Sequence, residues 1–179
     1  MKLKTHAATA MLATLLFDAL AQRYVPGYAG HYVLRALLVA EAFLLQYLID
    51  AVGHTVRRHN GRVYYARNRW HSLPAAVGMG LGAGLPLAIL SGVYAAAAPP
   101  VLALLVHLAE DVVTEGGVYV RGRRVRLGGV RYDSPLANRL AILAFLVPTV
   151  LVYPALSSAF NTMLAAFVYL YSLHALLTV

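Results

Sequence analysis

The chain contains no cysteine. That excludes disulfides, thiolate metal sites and thiol nucleophiles, so any metal must be held by histidine, aspartate or glutamate. Acidic residues are scarce as well, seven against 15 basic ones. Lysine is nearly missing, with Lys2 and Lys4 beside 13 arginines. No interval is long and polar enough to form a second domain, so residues 1–179 read as a single membrane domain.

What is present is apolar. Hydrophobic residues make up 60% of the chain and its mean hydropathy is +0.67, more apolar than a soluble domain. The apolar residues come in runs of roughly 17–25, the length that crosses about 30 Å of hydrocarbon. The expected fold class is an all-α integral membrane protein, a bundle of five to six transmembrane helices. The expected spans are His6–Ala21, Tyr32–Val52, Leu73–Ala96, Val101–Thr114, Leu136–Tyr153 and a last helix ending near Val179. Ala98-Pro99-Pro100 is expected to break the pattern between the third and fourth, which leaves the fourth short. The start Met1-Lys2-Leu3-Lys4 raises the question of a signal peptide. Asp18 lies within the run that follows, and no small-residue cleavage site comes after it, so a retained first helix is expected.

The formal net charge of +8 suggests nucleic acid as a partner, but in a membrane protein topology is the first explanation. The segments around Ala95–Pro100 and Pro154–Asn161 carry no charge. All the basic residues except Arg23 and Arg35 fall on the opposite side. The positive-inside rule then makes both termini and the two long loops cytoplasmic, which an even helix count allows. In the first loop Asn60-Gly61 between β-prone residues signals a type I′ hairpin. In the second, Gly122-Arg123 could form a two-residue turn and Gly128-Gly129 another. The alternative for both is irregular basic loop on the headgroups. Glu115-Gly116-Gly117 reads as a helix end. Gly80 and Gly84 give the third helix a small-xxx-small face for close packing, and Pro86 could kink it.

The chemistry concentrates at one end of this layout. Asp50 and His54 stand one helical turn apart, as do His107 and Asp111. His71 precedes the third apolar run and His6 the first. The topology, drawn from charge alone, brings His6, Asp50, His54, His71, His107 and Asp111 to the cytoplasmic ends of four helices. Imidazoles and carboxylates in that number suit a transition-metal ion, most simply zinc, with manganese second. Each residue taken singly also fits a hydrogen-bonded interfacial role. Glu110 and Glu115 read either as a general base or as solvated helix-end carboxylates, and Asp133 as an N-cap or turn residue. Asp18 and Glu41 lie inside helices, where carboxylates are costly and often functional; Arg23 and Arg35 could pair with Asp18. His174 is a weaker candidate for the cluster.

The segments Met1–His6, Leu48–His54 (LIDAVGH), Arg67–Ser72 (RNRWHS), His107–Tyr119 (HLAEDVVTEGGVY) and Arg131–Asn138 (RYDSPLAN) resemble an uncharacterised archaeal membrane-protein family. That family is similar to the YdjM-like predicted membrane-bound metal-dependent hydrolases. The resemblance runs through about Asn138 and implies a multi-helix membrane fold with a His/Asp metal centre. His6 matches the amino-terminal histidine and Asp50 with His54 the Asp/His motif. His71-Ser72 matches a Thr-His-Ser motif, and His107 with Asp111 the later His-x-x-x-Asp. Trp70 stands where those hydrolases carry Thr. The tight Asp-x-Asp-His run is also absent, which removes one carboxylate and leaves one or two metals open.

The expected function is a metal-dependent hydrolase at the cytoplasmic face, with Asp50 or Glu110 as base. Arg67, Arg69, Arg123 and Arg124 are expected to hold an anionic group such as a lipid phosphoester. The alternative is a scaffold whose His/Asp cluster is structural and whose basic loops bind anionic lipid, nucleic acid or a protein partner. An ion or proton pathway through Asp18 and Glu41 ranks last, because no continuous polar stripe joins them.

Overall fold

The computed structural model describes residues 1–59, 62–153 and 158–179, with residues 57–59 and 62–66 described by backbone alone. Six α-helices and two hairpins follow in the order α1 (Leu3–Tyr24), α2 (Tyr32–Gly53), β1 (His54–His59), β2 (Arg62–Arg67), α3 (Leu73–Ser91), α4 (Ala98–Val112), β3 (Val118–Val120), β4 (Arg123–Val125), α5 (Pro135–Val152) and α6 (Ala159–Thr178). Among the described residues five helical segments are long and apolar enough to cross a membrane: α2, α3, Tyr94–Val112, α5 and α6.

The expected first span, α1, is not among the five. Its 22 residues include His6, three threonines, Asp18 and Gln22. Its place in the bundle accounts for this: α1 packs against α2, α4, α5 and α6, and Ala7, Ala8, Ala10, Met11, Leu12 and Leu15 are wholly buried. A helix walled in by other helices needs small side chains for close approach rather than an oily exterior. Met11, Leu12 and Leu15 meet Ile142 of α5 and Leu164 and Val168 of α6 in the largest apolar cluster. Leu45 and Ile49 of α2 meet Leu104 and Leu108 of α4 in another.

Close packing of α3 on α4 follows from glycine. A Cβ at Gly80 would lie 2.6 Å from Val101 Cα, and one at Gly84 2.9 Å from Ala97 Cα, whereas Gly78 and Gly82 face open space. Two boundaries differ from expectation here. The third helix ends at Ser91, where Gly92 adopts the left-handed conformation at φ 70°, a common helix stop. Pro99 and Pro100 do not break a helix but form the first turn of α4, where proline's missing N–H costs nothing. The short turn Tyr94–Ala97 extends this span to 19 residues, which removes the expected shortness.

Both loops form hairpins. His54 pairs with Arg67 and His59 with Arg62, so the register leaves Asn60-Gly61 as the connection; that turn lies outside the described residues. In the second hairpin Val120 pairs with Arg123. The turn is therefore Arg121-Gly122, one residue earlier than expected. Both take positive φ, 49° and 76°, as a type I′ turn requires, and glycine serves its second position. Gly128-Gly129 is no turn. Leu127 and Val130 donate to the Val112 and Val113 carbonyls, and a Cβ at Gly128 would meet the Val113 oxygen at 2.5 Å. Asp133 pairs with Arg131, while Ser134 caps α5.

At the end of the bundle away from the hairpins, Asp18 of α1 accepts from Arg35 of α2, Nε to Oδ1 at 2.8 Å and Nη2 to Oδ2 at 2.9 Å. Tyr153 and Gln22 also donate to Asp18, each at 2.8 Å. Arg35 is the partner the sequence offered; Arg23 lies over the Tyr24 ring. Charges this deeply buried persist only when paired and hydrogen-bonded.

Candidate metal centre

The hairpin end of the bundle holds the cluster, and local structure aims each member. Asn138, at the start of α5, accepts from Lys2 N and from Thr5 Oγ1 at 3.0 and 2.6 Å. This pins the first turn of α1 and faces His6 inward. Asn68 N donates to the Gly53 carbonyl and Asn68 Nδ2 to the Val52 carbonyl, each at 2.8 Å. Those bonds join the end of α2 to the turn that carries His71, and Tyr119 N of β3 donates to the His71 carbonyl. His107 and Asp111 project from the buried face of α4.

Five of the six expected ligands converge. His6, His107 and Asp111 form one group, and Asp50, His71 and His107 a second; within each, one ligand atom per residue lies within 4.8 Å of the others. His107 belongs to both. His71 Nε2 stands 3.0 Å from His107 Nε2 and 2.9 Å from Asp111 Oδ2. Asp50 Oδ1 lies 3.5 Å from His107 Nε2 and 3.9 Å from His71 Nε2. His6 Nε2 lies 3.3 Å from Asp111 Oδ1, and the His6 and His107 rings stack at 3.9 Å. His54 stands at the rim, its ring 4.8 Å from that of His71 and its Nδ1 turned to the Asp50 carbonyl at 2.9 Å.

The remote nitrogens of two rings are held from behind. Glu110, expected beside the centre as a base, sits 2.5 Å from His6 Nδ1. Gln46 Oε1 sits 2.9 Å from His107 Nδ1. Carboxylates and carbonyls on the far nitrogen are the usual partners of metal-ligating histidines. His71 Nδ1 has no hydrogen-bond partner among the described residues; it lies where a side chain at Gly53 would be, 2.1 Å from that Cβ. Burial pushes the His71 imidazole below its ordinary value, against the pull of Asp111, and so favours the neutral ring that a metal binds.

Asp111 Oδ1 also accepts from Arg67 Nη2 at 2.6 Å and from the Met1 amino group at 3.2 Å. Arg67 continues to the Gly117 carbonyl at 2.5 Å, and its guanidinium lies where a Cβ at Gly116 would stand, 2.0 Å from Nη1. Burial lowers the Arg67 pKa against the pull of Asp111, yet a guanidinium keeps its proton. Arg124 donates to the Glu115 and Gly116 carbonyls. Two of the four arginines expected to take an external anion are thus engaged by the protein itself, while Arg69 and Arg123 are exposed at the same end. His174 is exposed on α6, outside the cluster. Glu41 Oε2 is buried and has no hydrogen-bond partner among the described residues.

Gln46 escaped the sequence reading. The available signal was an amide in an otherwise apolar run, one turn before Asp50 on the same helix. Asn138 and Thr5 escaped too, because neither stands near a ligand in sequence except through the fold. Comparison with known proteins adds no family: no family model matches the chain, and neither does any curated protein or solved structure.

Proposed function

We propose that this is a membrane-bound, metal-dependent hydrolase with its centre at the cytoplasmic end of the bundle. The carrying observation is the convergence of three imidazoles and two carboxylates, two of the rings held at their far nitrogens by Glu110 and Gln46. An all-nitrogen and oxygen donor set suits zinc, and manganese next. A divalent ion there would supply Lewis acidity and lower the pKa of a bound water. His6, His71, His107 and Asp111, each nearly fully buried, would be the ligands. Asp50 is 25% exposed and faces both His71 and His107, so it is the group suited to take a proton from an incoming water. Arg69 and Arg123 would meet an anionic substrate, most simply the phosphoester of a lipid headgroup at this depth.

The test is metal analysis of the purified protein, followed by release of phosphate or headgroup from mixed lipids and generic phosphoesters with added zinc or manganese. Bound metal with Asp50-dependent turnover supports the reading. A metal-loaded wild type inactive on every substrate favours the second reading, a scaffold with a structural cluster. One observation favours that alternative: Asp111 Oδ1 is already taken by Arg67 and the Met1 amino group, as in a closed polar knot.

A further inference from the structure

We infer that Gln46 is a positioning residue that fixes the tautomer of His107 and so aims an unprotonated Nε2 into the cluster. The inference rests on the metal-centre reading and deepens it. Gln46 is wholly buried in α2, in a segment where an unsatisfied amide is expensive. All its bonds run to named groups. Its Nε2 donates to the Ala42 carbonyl at 3.1 Å and to the Ala103 carbonyl at 3.4 Å. Carbonyls only accept, so the amide cannot be turned over without setting its oxygen against two others. The amide oxygen is thereby committed to His107, 2.9 Å from Nδ1, and the imidazole must donate there. A neutral ring with its proton on Nδ1 carries a lone pair on Nε2.

That lone pair has a particular setting. His107 Nε2 lies 3.0 Å from His71 Nε2, 3.4 Å from Asp111 Oδ2 and 3.5 Å from Asp50 Oδ1. A proton on His71 Nε2 or a bound cation would serve the acceptors that meet here, and His107 is the ring both ligand groups share. Gln46 reaches it by spanning α2 to α4, holding with one amide the carbonyl of Ala103 and the ring one helical turn further on. Glu110 holds His6 in the same sense from α4 itself, but with a carboxylate. Gln46 performs the task without placing a charge within the apolar core.

The test is zinc and cobalt(II) titration of the full chain in detergent, read by metal affinity and by the cobalt visible spectrum. Gln46→Leu removes the acceptor and should weaken binding by roughly 10–100-fold, the usual cost of losing such a partner, with an altered cobalt spectrum. Gln46→Glu, as a neutral acid, keeps one accepting oxygen and one donor, and should recover most of the affinity and the wild-type spectrum. Wild-type binding by Gln46→Leu would overturn the inference, as would equal loss in both variants, which would indicate packing alone. Nitrogen-15 spectra of the histidines in the wild type decide the matter even if Gln46→Leu fails to fold. A proton on His107 Nδ1 supports the inference and a proton on Nε2 overturns it. If the wild type takes up neither metal, the metal-centre reading falls, and the same spectra of the metal-free protein still judge Gln46 separately.

Discussion

The His71 ring occupies the volume that a side chain at Gly53 would fill: a Cβ there would stand 2.1 Å from His71 Nδ1 and 2.9 Å from Cε1. The last residue of α2 is therefore part of the wall of the site. Gly53→Ala should displace the His71 ring and cost about 1–3 kcal/mol of stability through overpacking. Bound zinc should fall further than folded protein does. Metal content measured alongside thermal unfolding in detergent checks this, and full zinc occupancy in the variant would contradict it.

On the hydrolase reading, Asp50→Asn and His107→Ala should part ways. Asp50→Asn removes the proton acceptor and should abolish turnover while substantial metal stays bound. His107→Ala takes out the ligand common to both groups and should lose metal and activity together. The check is metal content and phosphoester hydrolysis measured on the same preparations.

Asp18 and Arg35 form a second buried polar group. Removing one partner strands a charge, so Asp18→Asn or Arg35→Met should each cost about 3–5 kcal/mol. The double substitution should cost less than the sum of the two. Unfolding of all four proteins, compared as a double-mutant cycle, gives the coupling; strict additivity would mean the pair does not act as a unit.

The α3 glycines make a graded series. Gly80→Ala sets a Cβ 2.6 Å from the Val101 backbone and should destabilise by about 1–3 kcal/mol. Gly78→Ala and Gly82→Ala enter open space and should be neutral or gain up to about 1 kcal/mol in helix propensity. Thermal unfolding of the three variants separates the two cases.

Orientation is testable directly. A reporter fused at Ala97 should report the outside of the membrane and one at Gly122 the inside, as the distribution of arginine predicts. An inside signal at Ala97 would reverse the layout.

The His/Asp cluster was legible because its members are rare in an apolar chain and because the charge pattern assigned them to one end. Spacing of four residues did the rest for His107 and Asp111, which share one face of α4. Spacing could not say which way Arg67 points. It pairs with Asp111 across 44 residues because the hairpin register puts it opposite His54, and nothing local in Arg67-Asn68-Arg69 separates it from an outward arginine. Pro99-Pro100 was legible as punctuation but not as a beginning, since proline marks a helix start as readily as a break. The turn at Arg121-Gly122 was missed by one residue, because the register of so short a hairpin is set by its pairing rather than by the glycine alone.

The burial of α1 bears on how the protein is assembled. It precedes in the chain every helix that covers it, and two of its four neighbours, α5 and α6, begin at Pro135 and Ala159. Until its neighbours arrive, lipid would face His6 without Glu110 of α4 and Asp18 without Arg35 of α2. In a membrane, α1 is thus a poor independent passenger. Its stable insertion would wait on partners made later, so truncations before α4 should leave it exposed to quality-control proteases rather than parked in the bilayer.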